Sequence, residues 1–233
     1  IEREMGVALV DIGGGTTDLA IFKDGIIRHA AVLPFGGNIV TTDIKQGCQV
    51  MQNQAEQLKV KFGKAIAEEA SEYEIVSIPG LRDRAPKEIS LKNLAYIIEA
   101  RMEEIVELVY AEIQRLGFQD KLAAGIVMTG GGSQLQNLVQ LTEYVTGLDT
   151  RIGYPNEHLG KSKIEAVKSP MYATTVGLVL AGYRSLDDRL AQRGSEETEP
   201  EQNYYVSAPE PRPAAAAAPT TPAAPATPAT EKP

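Results

Sequence analysis

A short segment near the beginning of the chain has the residue types that bind an anion and a metal ion. It combines one aspartate, three glycines and two threonines, namely Asp11, Gly13, Gly14, Gly15, Thr16 and Thr17. Glycines let the backbone approach an anion with its N–H groups pointing inward, and threonine hydroxyls add hydrogen-bond donors. A carboxylate at the end of the preceding strand can hold Mg²⁺ through water. These residues predict a phosphate-binding turn with a carboxylate for magnesium.

The competing interpretation of this segment is a glycine-rich turn without a ligand, because such turns are common. A bare turn does not explain Asp11, which lies between the apolar residues Val10 and Ile12 of a predicted strand. An unpaired carboxylate in such a strand is costly. The position of the aspartate therefore favours the binding site.

A second glycine triplet, Gly130 to Gly132, follows the apolar residues 125–129 and precedes a helical pattern. Strand, glycine turn and helix is the order in which phosphate and sugar groups are often bound. The alternative is a turn that only lets a strand and a helix pack closely. Two such triplets in one chain favour the binding interpretation.

A third candidate is the pair Glu56 and Lys59 on a predicted helix. Residues three apart share one face of a helix, so both side chains can reach the same ligand hydroxyls. The spacing alone favours a solvated ion pair. The pair becomes a site candidate only together with the glycine turns.

The elements that must position these residues begin with three predicted strands, at residues 6–12, 16–22 and 26–33. Because short turns join them, they are expected to be antiparallel neighbours. Helical patterns follow from Gly36 onward and over residues 52–62. Residues 71–89 indicate a small region with short strands and a basic cluster.

The longest helical pattern begins after Ser90, a good N-cap, and ends at Gly117. The later elements are predicted as a buried strand at 125–129, a helix at 134–144, a short strand at 151–153 and a helix at 170–183. After Leu190 the chain becomes acidic and then rich in Ala, Pro and Thr. Such a segment buries too little apolar surface to offset the entropy of ordering, so we predict a disordered tail.

Charge and cysteine content exclude several classes of protein. A formal net charge of −8 without a clustered cationic face argues against a nucleic-acid partner. The single cysteine, Cys48, cannot form an internal disulfide, which fits a reducing compartment. His29 and His158 have no second ligand at a useful spacing, so neither is assigned a metal or catalytic role.

Several segments resemble one superfamily. DIGGGTTDLAIF resembles the second phosphate loop of the actin, sugar-kinase and heat-shock chaperone ATPases, and GIVMTGGGSQLQNL resembles their adenosine motif. LPFGGNIVTTDI, AEQLKVKFG, RIGYP and SPMYATTVGLVLAGY, in this order and spacing, are similar to segments of the FtsA family of bacterial cell-division proteins. The resemblance covers about residues 4–184.

The resemblance implies an α/β fold with an actin-like, RNase H-like subdomain formed by residues 1–48 and 123–190. A smaller α+β subdomain is inserted over residues 49–122, and the tail covers residues 191–233. The first half of the family's fold does not occur in this sequence. We therefore expect the chain to be the second half of such a protein, with one wall of its nucleotide cleft.

The same resemblance implies ATP and Mg²⁺ as ligands. Asp11 would serve Mg²⁺ through water and the hydrolytic water, and Gly13 to Thr17 the β- and γ-phosphates. Glu56 and Lys59 would contact the ribose. The adenosine face would be lined by Gly130, Gly131 and Gly132, with Gln134 and Leu135 close by.

The function implied by the resemblance is a nucleotide-dependent adaptor at the cytoplasmic face of the inner membrane, at the division septum. It would polymerise into actin-like filaments and link the FtsZ ring to the membrane, with at most weak ATPase activity. The alternative within the superfamily is a phosphotransferase fragment similar to a sugar or acetate kinase. The carboxylate of such a kinase would lie in the half that this sequence does not contain.

The resemblance also implies that the inserted subdomain receives the C-terminal tail of FtsZ. Charged candidates for this contact are Arg82, Arg84, Lys87, Arg101 and Glu104. A cationic loop beside a helix edge suits a short peptide with mixed charges and an apolar anchor. The alternative is that these are solvated surface charges.

Membrane contact is expected only through a segment outside this sequence. The family usually ends in an amphipathic membrane-targeting helix after a variable linker. Here the Pro/Ala-rich linker runs to Pro233 without such a helix.

Overall fold

The three β-rich segments at the beginning of the chain form antiparallel strands, as their short turns predict. These are β1 (Val7–Ile12), β2 (Thr17–Lys23) and β3 (Ile26–Leu33). The computed structural model describes residues 1–80, 85–155, 159 and 164–196, and every structural statement below concerns these residues.

Two later strands complete the sheet on the other side of β1. They are β6 (Ile126–Thr129), which pairs with β1 in parallel, and β7 (Thr150–Ile152), which pairs with β6 in parallel. The strand order is β3-β2-β1-β6-β7, so β1 lies at the centre. The predicted strands at residues 125–129 and 151–153 are thereby confirmed to within one residue.

Helices connect the strands. They are α1 (Glu2–Met5), α2 (Gly37–Gly47), α3 (Gln52–Phe62), α4 (Leu91–Arg115), α5 (Leu138–Thr146) and α6 (Ala173–Glu196). Between α3 and α4, β4 (Ile75–Ile78) and β5 (Lys87–Ser90) form a separate antiparallel hairpin. The predicted helices at 52–62 and after Ser90 are confirmed.

The apolar core lies between the sheet and helices α2, α4 and α5. Val10 and Ile12 of β1 and Ile126 of β6 are at most 3% exposed, and they belong to one cluster with Ile98 and Ile105 of α4. Burying a side chain of this size contributes about 1.5–3 kcal/mol. The apolar residues that recur at helical spacing along α4 thus pack into this core, as expected for a helix of this length.

Two helix boundaries differ from the sequence prediction. The helix predicted from Gln134 begins only at Leu138, because Asn137 has a left-handed backbone with φ of 63° that interrupts the α-helix. A 3₁₀ turn, Gly132–Gln134, precedes it.

The second difference is at the last helix. The helix predicted over residues 170–183 starts with the 3₁₀ turn Pro170–Tyr172, and α6 then continues to Glu196, into the segment predicted as tail. Arg and Leu, good helix formers, recur between Arg184 and Arg193, which explains the extension. Residues 197–233 lie outside the described residues, so their disorder stays a prediction.

By its contacts the chain divides into two units, Ile1–Asp188 and Arg189–Pro233. The strands of the main sheet all come from residues 1–48 and 123–190, and the separate hairpin comes from residues 49–122. The predicted division of the first unit into two subdomains stays a prediction. Among the described residues, no helix has both the length and the apolar character needed to cross a membrane.

Candidate functional site

The two glycine triplets lie next to each other because β1 and β6 are parallel neighbours. Asp11 is the register partner of Thr129, so the turns after both strands leave the sheet at the same edge. At this edge a cleft of about 630 Å³ is lined by Asp11, Gly13 and Gly14 and by Gly130, Gly131 and Gly132. Residues far apart in sequence thus form one site.

The first glycine turn is closed by a hydrogen bond from Gly13 N to Thr16 O, 2.9 Å. The beginning of α2 holds the turn by its carbonyl groups, since Gly37 N donates to Gly13 O at 2.9 Å and Asn38 N donates to Gly14 O at 2.7 Å. Within the described residues, the N–H groups of Gly14, Gly15 and Thr16 have no protein acceptor. Consecutive free N–H groups of this kind form an anion-binding concavity.

The two threonine hydroxyls of the turn have different surroundings. Thr17 is fully buried, and its hydroxyl donates to Phe35 O at 2.8 Å. Thr16 is exposed, and its hydroxyl donates to Asp18 Oδ2 at 3.1 Å. Neither these threonines nor Gly15 line the cleft. The free hydrogen-bond donors of the turn are therefore backbone N–H groups, because the Thr17 hydroxyl is already bonded within the protein.

The carboxylate of Asp11 is held from two sides. Thr174 Oγ1, on α6, donates to Asp11 Oδ2 at 2.6 Å. The other oxygen lies over Gly130, where an added Cβ would be 2.3 Å from Asp11 Oδ1. Gly130 also has a φ of 86°, which strongly favours glycine. The glycine is therefore required both by the backbone and by the aspartate.

Asp18 is a cleft residue that the sequence analysis did not assign. It is the cross-strand partner of Asp11 in the β1–β2 pair, so both side chains face the same side of the sheet. Both line the cleft. The signal that could have found it is the register of the hairpin, which follows once the length of the turn is fixed.

Glu56 and Lys59 belong to a partly buried hydrogen-bond network. Lys59 Nζ lies 2.8 Å from Glu56 Oε2 and donates to Gly37 O and to Thr41 Oγ1, each at 2.8 Å. The side chain of Lys59 is 12% exposed, whereas that of Glu56 is 47% exposed. Thr41 Oγ1 donates to Glu56 Oε2 at 2.5 Å. The network ties α3 to the beginning of α2.

Burial by itself would raise the pKa of Glu56. The hydrogen bonds from Lys59 and Thr41, together with the charge of Lys59, outweigh burial and hold the pKa of this carboxyl below its ordinary value. Glu56 is therefore ionised at neutral pH, and it lines the cleft together with Lys59.

The remaining predicted residues, Gln134 and Leu135, also line the cleft. Ser169 Oγ donates to Gln134 Oε1 at 3.3 Å. Lining residues that the sequence analysis missed are Gly37, Asn38, Val60, Gly63, Met102, Gln136, Met171 and Thr174. All of them except Met102 fall within the segments that carry the family resemblance, but those segments do not by themselves show which of their residues reach the cleft.

The described candidates for partner contact have different surroundings. Arg101 Nε donates to Asp43 Oδ2 at 2.5 Å, and the same guanidinium pairs with Glu104, so Arg101 ties α4 to α2. Lys87 is exposed on β5. Arg82 and Arg84 lie outside the described residues, as does His158.

Residues not assigned to a site are placed as follows. His29 Nε2 lies 2.8 Å from Glu112 Oε1, and Cys48 is buried, which raises the pKa of its thiol. Within the described part of the chain, no three His, Cys, Asp or Glu side chains are grouped so that they could hold a metal ion.

Comparison with known proteins gives a consistent family match. The family model "Cell division protein FtsA" matches residues 8–177. The chain is 41% identical over 190 residues to the cell division protein FtsA of Pseudomonas aeruginosa, covering 82% of this chain and 45% of that protein. It is 39% identical over 192 residues to FtsA of Neisseria meningitidis, covering 82% and 46%.

The Escherichia coli FtsA is 38% identical over 191 residues, covering 79% of this chain and 45% of that protein. The chain thus spans a little under half the length of the curated relatives that it matches.

Solved structures with the same fold are more distant in sequence. MreB5 of Spiroplasma citri bound to ADP has a TM-score of 0.54 at 21% identity, covering 76% of this chain and 54% of that one. A PilM–PilN type IV pilus biogenesis complex has a TM-score of 0.58 at 19% identity, covering 78% and 47%. These similarities show an actin-like fold.

Proposed function

Because the chain belongs to the FtsA family of cell division proteins, we propose that it supplies one wall of an ATP·Mg²⁺ site in an actin-like division protein. The observation that carries the proposal is the pairing of β1 with β6, which brings Asp11 and both glycine turns to one cleft. Identities of 38–41% to FtsA proteins favour this role over a sugar or acetate kinase.

The backbone N–H groups of Gly14, Gly15 and Thr16 are the donors proposed for the β- and γ-phosphates. They are adjacent and have no protein acceptor among the described residues, and of the three residues Gly14 lines the cleft. Donors that are already oriented and need no rearrangement bind charge more strongly than mobile ones. The bonds from Gly37 and Asn38 to the turn's carbonyl groups provide this rigidity.

The donor set of the cleft fits Mg²⁺. This ion keeps several waters and is usually bound by one or two carboxylates together with phosphate oxygens. Asp11 and Asp18 are the two carboxylates that face each other at the cleft. We propose that Asp11 holds the ion through water and that Asp18 adds negative charge beside it. When bound, the metal offsets the charge of the phosphates.

Ribose contacts are proposed at Glu56 and Lys59, and adenine contacts at the second glycine turn, which line the same cleft. The ionised Glu56 can accept hydrogen bonds from ribose hydroxyls, and Lys59 fixes its position from the other side. The turn from Gly130 to Gly132 leaves open space for a flat ring at Gly131, where an added Cβ would meet only Met171, at 3.9 Å. Gln134 and Leu135 border this space.

Titration calorimetry on the full-length protein that contains this chain tests the ATP site. Asp11→Ala is expected to abolish binding of ATP in the presence of Mg²⁺. Asp120→Ala is the control and is expected to keep the wild-type affinity, because Asp120 is exposed and does not line the cleft. Unchanged affinity in the Asp11 variant would remove the assignment.

We further propose that the protein assembles into filaments and links FtsZ to the cytoplasmic membrane at the septum. Support comes from the family match and from the actin-like fold, which is shared with a MamK double helical filament at a TM-score of 0.51 and 19% identity, covering 72% of this chain and 54% of that one. Any ATPase activity is proposed to be weak.

The FtsZ tail is proposed to dock near Lys87, Arg82 and Arg84. Arg101 is a poor test residue, because it pairs with Asp43 and Glu104. Replacing it with glutamate would bring three carboxylates together and disturb the contact between α4 and α2. Lys87→Glu is expected to weaken binding of the FtsZ tail peptide in fluorescence anisotropy, most clearly at low salt. Lys61→Glu, at another exposed lysine, is the matched control. Equal affinities of the two variants would place the docking surface elsewhere.

A further inference from the structure

A hydroxyl on the last helix is bonded directly to the aspartate of the first strand. Thr174 Oγ1 donates to Asp11 Oδ2 at 2.6 Å, across 163 positions of sequence. Both residues line the 630 Å³ cleft, and both also line a second cavity of about 380 Å³ between the sheet and α6. The bond between them is therefore part of the wall that separates the two cavities.

Three other helical threonines of this chain bond to their own helix instead. Thr42, Thr142 and Thr146 each donate to the carbonyl four residues earlier, at 2.7–3.0 Å. This local bond is the usual choice for a threonine inside a helix. Thr174 differs from them in that it donates to another element of the fold.

The reason lies in the carbonyl that Thr174 would otherwise use. Four residues before it is Pro170, whose oxygen accepts from Gly130 N at 3.2 Å and from Thr129 Oγ1 at 3.3 Å. These two bonds attach the beginning of α6 to the end of β6. They occupy Pro170 O, the carbonyl oxygen to which Thr174 would otherwise donate. They also hold Thr174 where its hydroxyl reaches Asp11 on β1.

We propose that Thr174 is a positioning residue, whose hydroxyl fixes the Asp11 carboxylate and thereby sets how strongly Mg²⁺ increases nucleotide affinity. The inference rests on the proposed ATP site and deepens it. Gly130 limits the carboxylate on one side, and Thr174 holds its second oxygen on the other. Hydrogen bonds to a carboxylate that serves a metal orient it, and their removal typically reduces metal affinity about 10- to 100-fold.

The test compares ATP affinity with and without Mg²⁺ in the full-length protein, using isothermal titration in MgCl₂ and in EDTA. Thr174→Val removes the hydroxyl at nearly constant volume. It is expected to reduce the ratio of the two affinities about tenfold, with little change in the affinity measured in EDTA. Thr174→Ser keeps a hydroxyl and is expected to retain the wild-type ratio.

Thr175→Val is the matched control, because Thr175 is the exposed neighbour on the same helix and lines neither cavity. A wild-type ratio in Thr174→Val overturns the inference, as does an equal loss of affinity in both buffers, which would indicate general damage to the cleft. Melting temperatures of the variants identify a folding defect, and failure of the serine variant to restore the ratio also counts against the proposal. If the wild-type protein binds no ATP, the proposed function itself fails, and the inference fails with it.

Discussion

Asp11 and Asp18 are direct cross-strand partners in the pair β1–β2, and both carboxylates face the same cleft. Like charges directly opposite on antiparallel strands are destabilising. The hydroxyl of Thr16 donates to Asp18 Oδ2 at 3.1 Å. We therefore expect a bound cation to stabilise this pair.

The first prediction concerns this pair. Asp18→Asn is expected to stabilise the ligand-free protein by about 0.5 kcal/mol, because it removes the repulsion while the amide oxygen still accepts from Thr16. The same change is expected to weaken Mg²⁺-dependent ATP binding. Melting temperatures at low salt and at about 1 M salt measure the gain in stability. High salt should suppress this gain, because the Debye screening length falls to about 3 Å at 1 M salt.

Asp120→Asn is the control for this experiment, since Asp120 is an exposed carboxylate outside the cleft. A lower melting temperature of Asp18→Asn without ligand would contradict the repulsion argument.

The second prediction compares two neighbouring glycines. Gly130→Ala would place a methyl group 2.3 Å from Asp11 Oδ1 and 2.5 Å from Ile12 O, at a φ of 86°. We expect a loss of stability of about 2–3 kcal/mol from the strained backbone and the collision. This corresponds to a fall in melting temperature of roughly 5–10 °C.

Gly131→Ala is its matched control. An added Cβ there meets only Met171, at 3.9 Å, and the residue has no positive φ. Its stability is expected to stay within about 1 kcal/mol of wild type, since substitutions at open positions have small effects. Similar losses in both variants would show that the turn is generally intolerant and that the close approach to Asp11 is not its cause.

The third prediction separates the two threonines of the phosphate turn. Thr17→Val leaves Phe35 O without its buried donor, which costs about 1–3 kcal/mol. Because this hydroxyl is used inside the protein, we expect ATP affinity to fall less than about tenfold, which is 1.4 kcal/mol. Thr16→Val, at the exposed threonine, should affect stability less. A larger loss of ATP affinity in Thr17→Val, with unchanged stability, would indicate that the Thr17 hydroxyl binds phosphate, as the motif predicts.

The fourth prediction concerns pH. Hydrogen bonds from Arg115 and His29, together with their charges, lower the pKa of Glu112 from 4.5 to about 2. A folded-state pKa below the unfolded value stabilises the protein above the unfolded pKa, and the contribution is lost as pH falls through the folded pKa. The wild-type protein is therefore expected to lose this stability between pH 4.5 and about 2.

Glu112→Gln is expected to lower the melting temperature at pH 7 and to have a flatter pH dependence in this window. Glu107→Gln, at an exposed glutamate of the same helix, should follow the wild-type curve. Parallel curves for Glu112→Gln and wild type would contradict the lowered pKa.

Much of the fold was predicted from the sequence, because local patterns decide local structure. The three antiparallel strands, the helix over residues 52–62 and the helix after Ser90 follow from apolar spacing, turn residues and a cap. The boundary error at Asn137 comes from a left-handed backbone that the apolar pattern does not show, whereas the helix formers that extend α6 beyond Tyr183 are visible in the sequence.

The sequence by itself determined the residue types of the site: an aspartate and a glycine turn after one strand, and a second glycine turn after another. Only the tertiary structure decided that β6 lies beside β1, which makes Asp11 the partner of Thr129 and of the Thr174 hydroxyl. It also decided that the Thr17 hydroxyl donates to Phe35 O and that Lys59 Nζ donates to Gly37 O of α2. The physical reason is that hydrogen-bond partners and strand pairing depend on distances in space, whereas spacing along the chain fixes only which residues share a strand, a turn or a helix face.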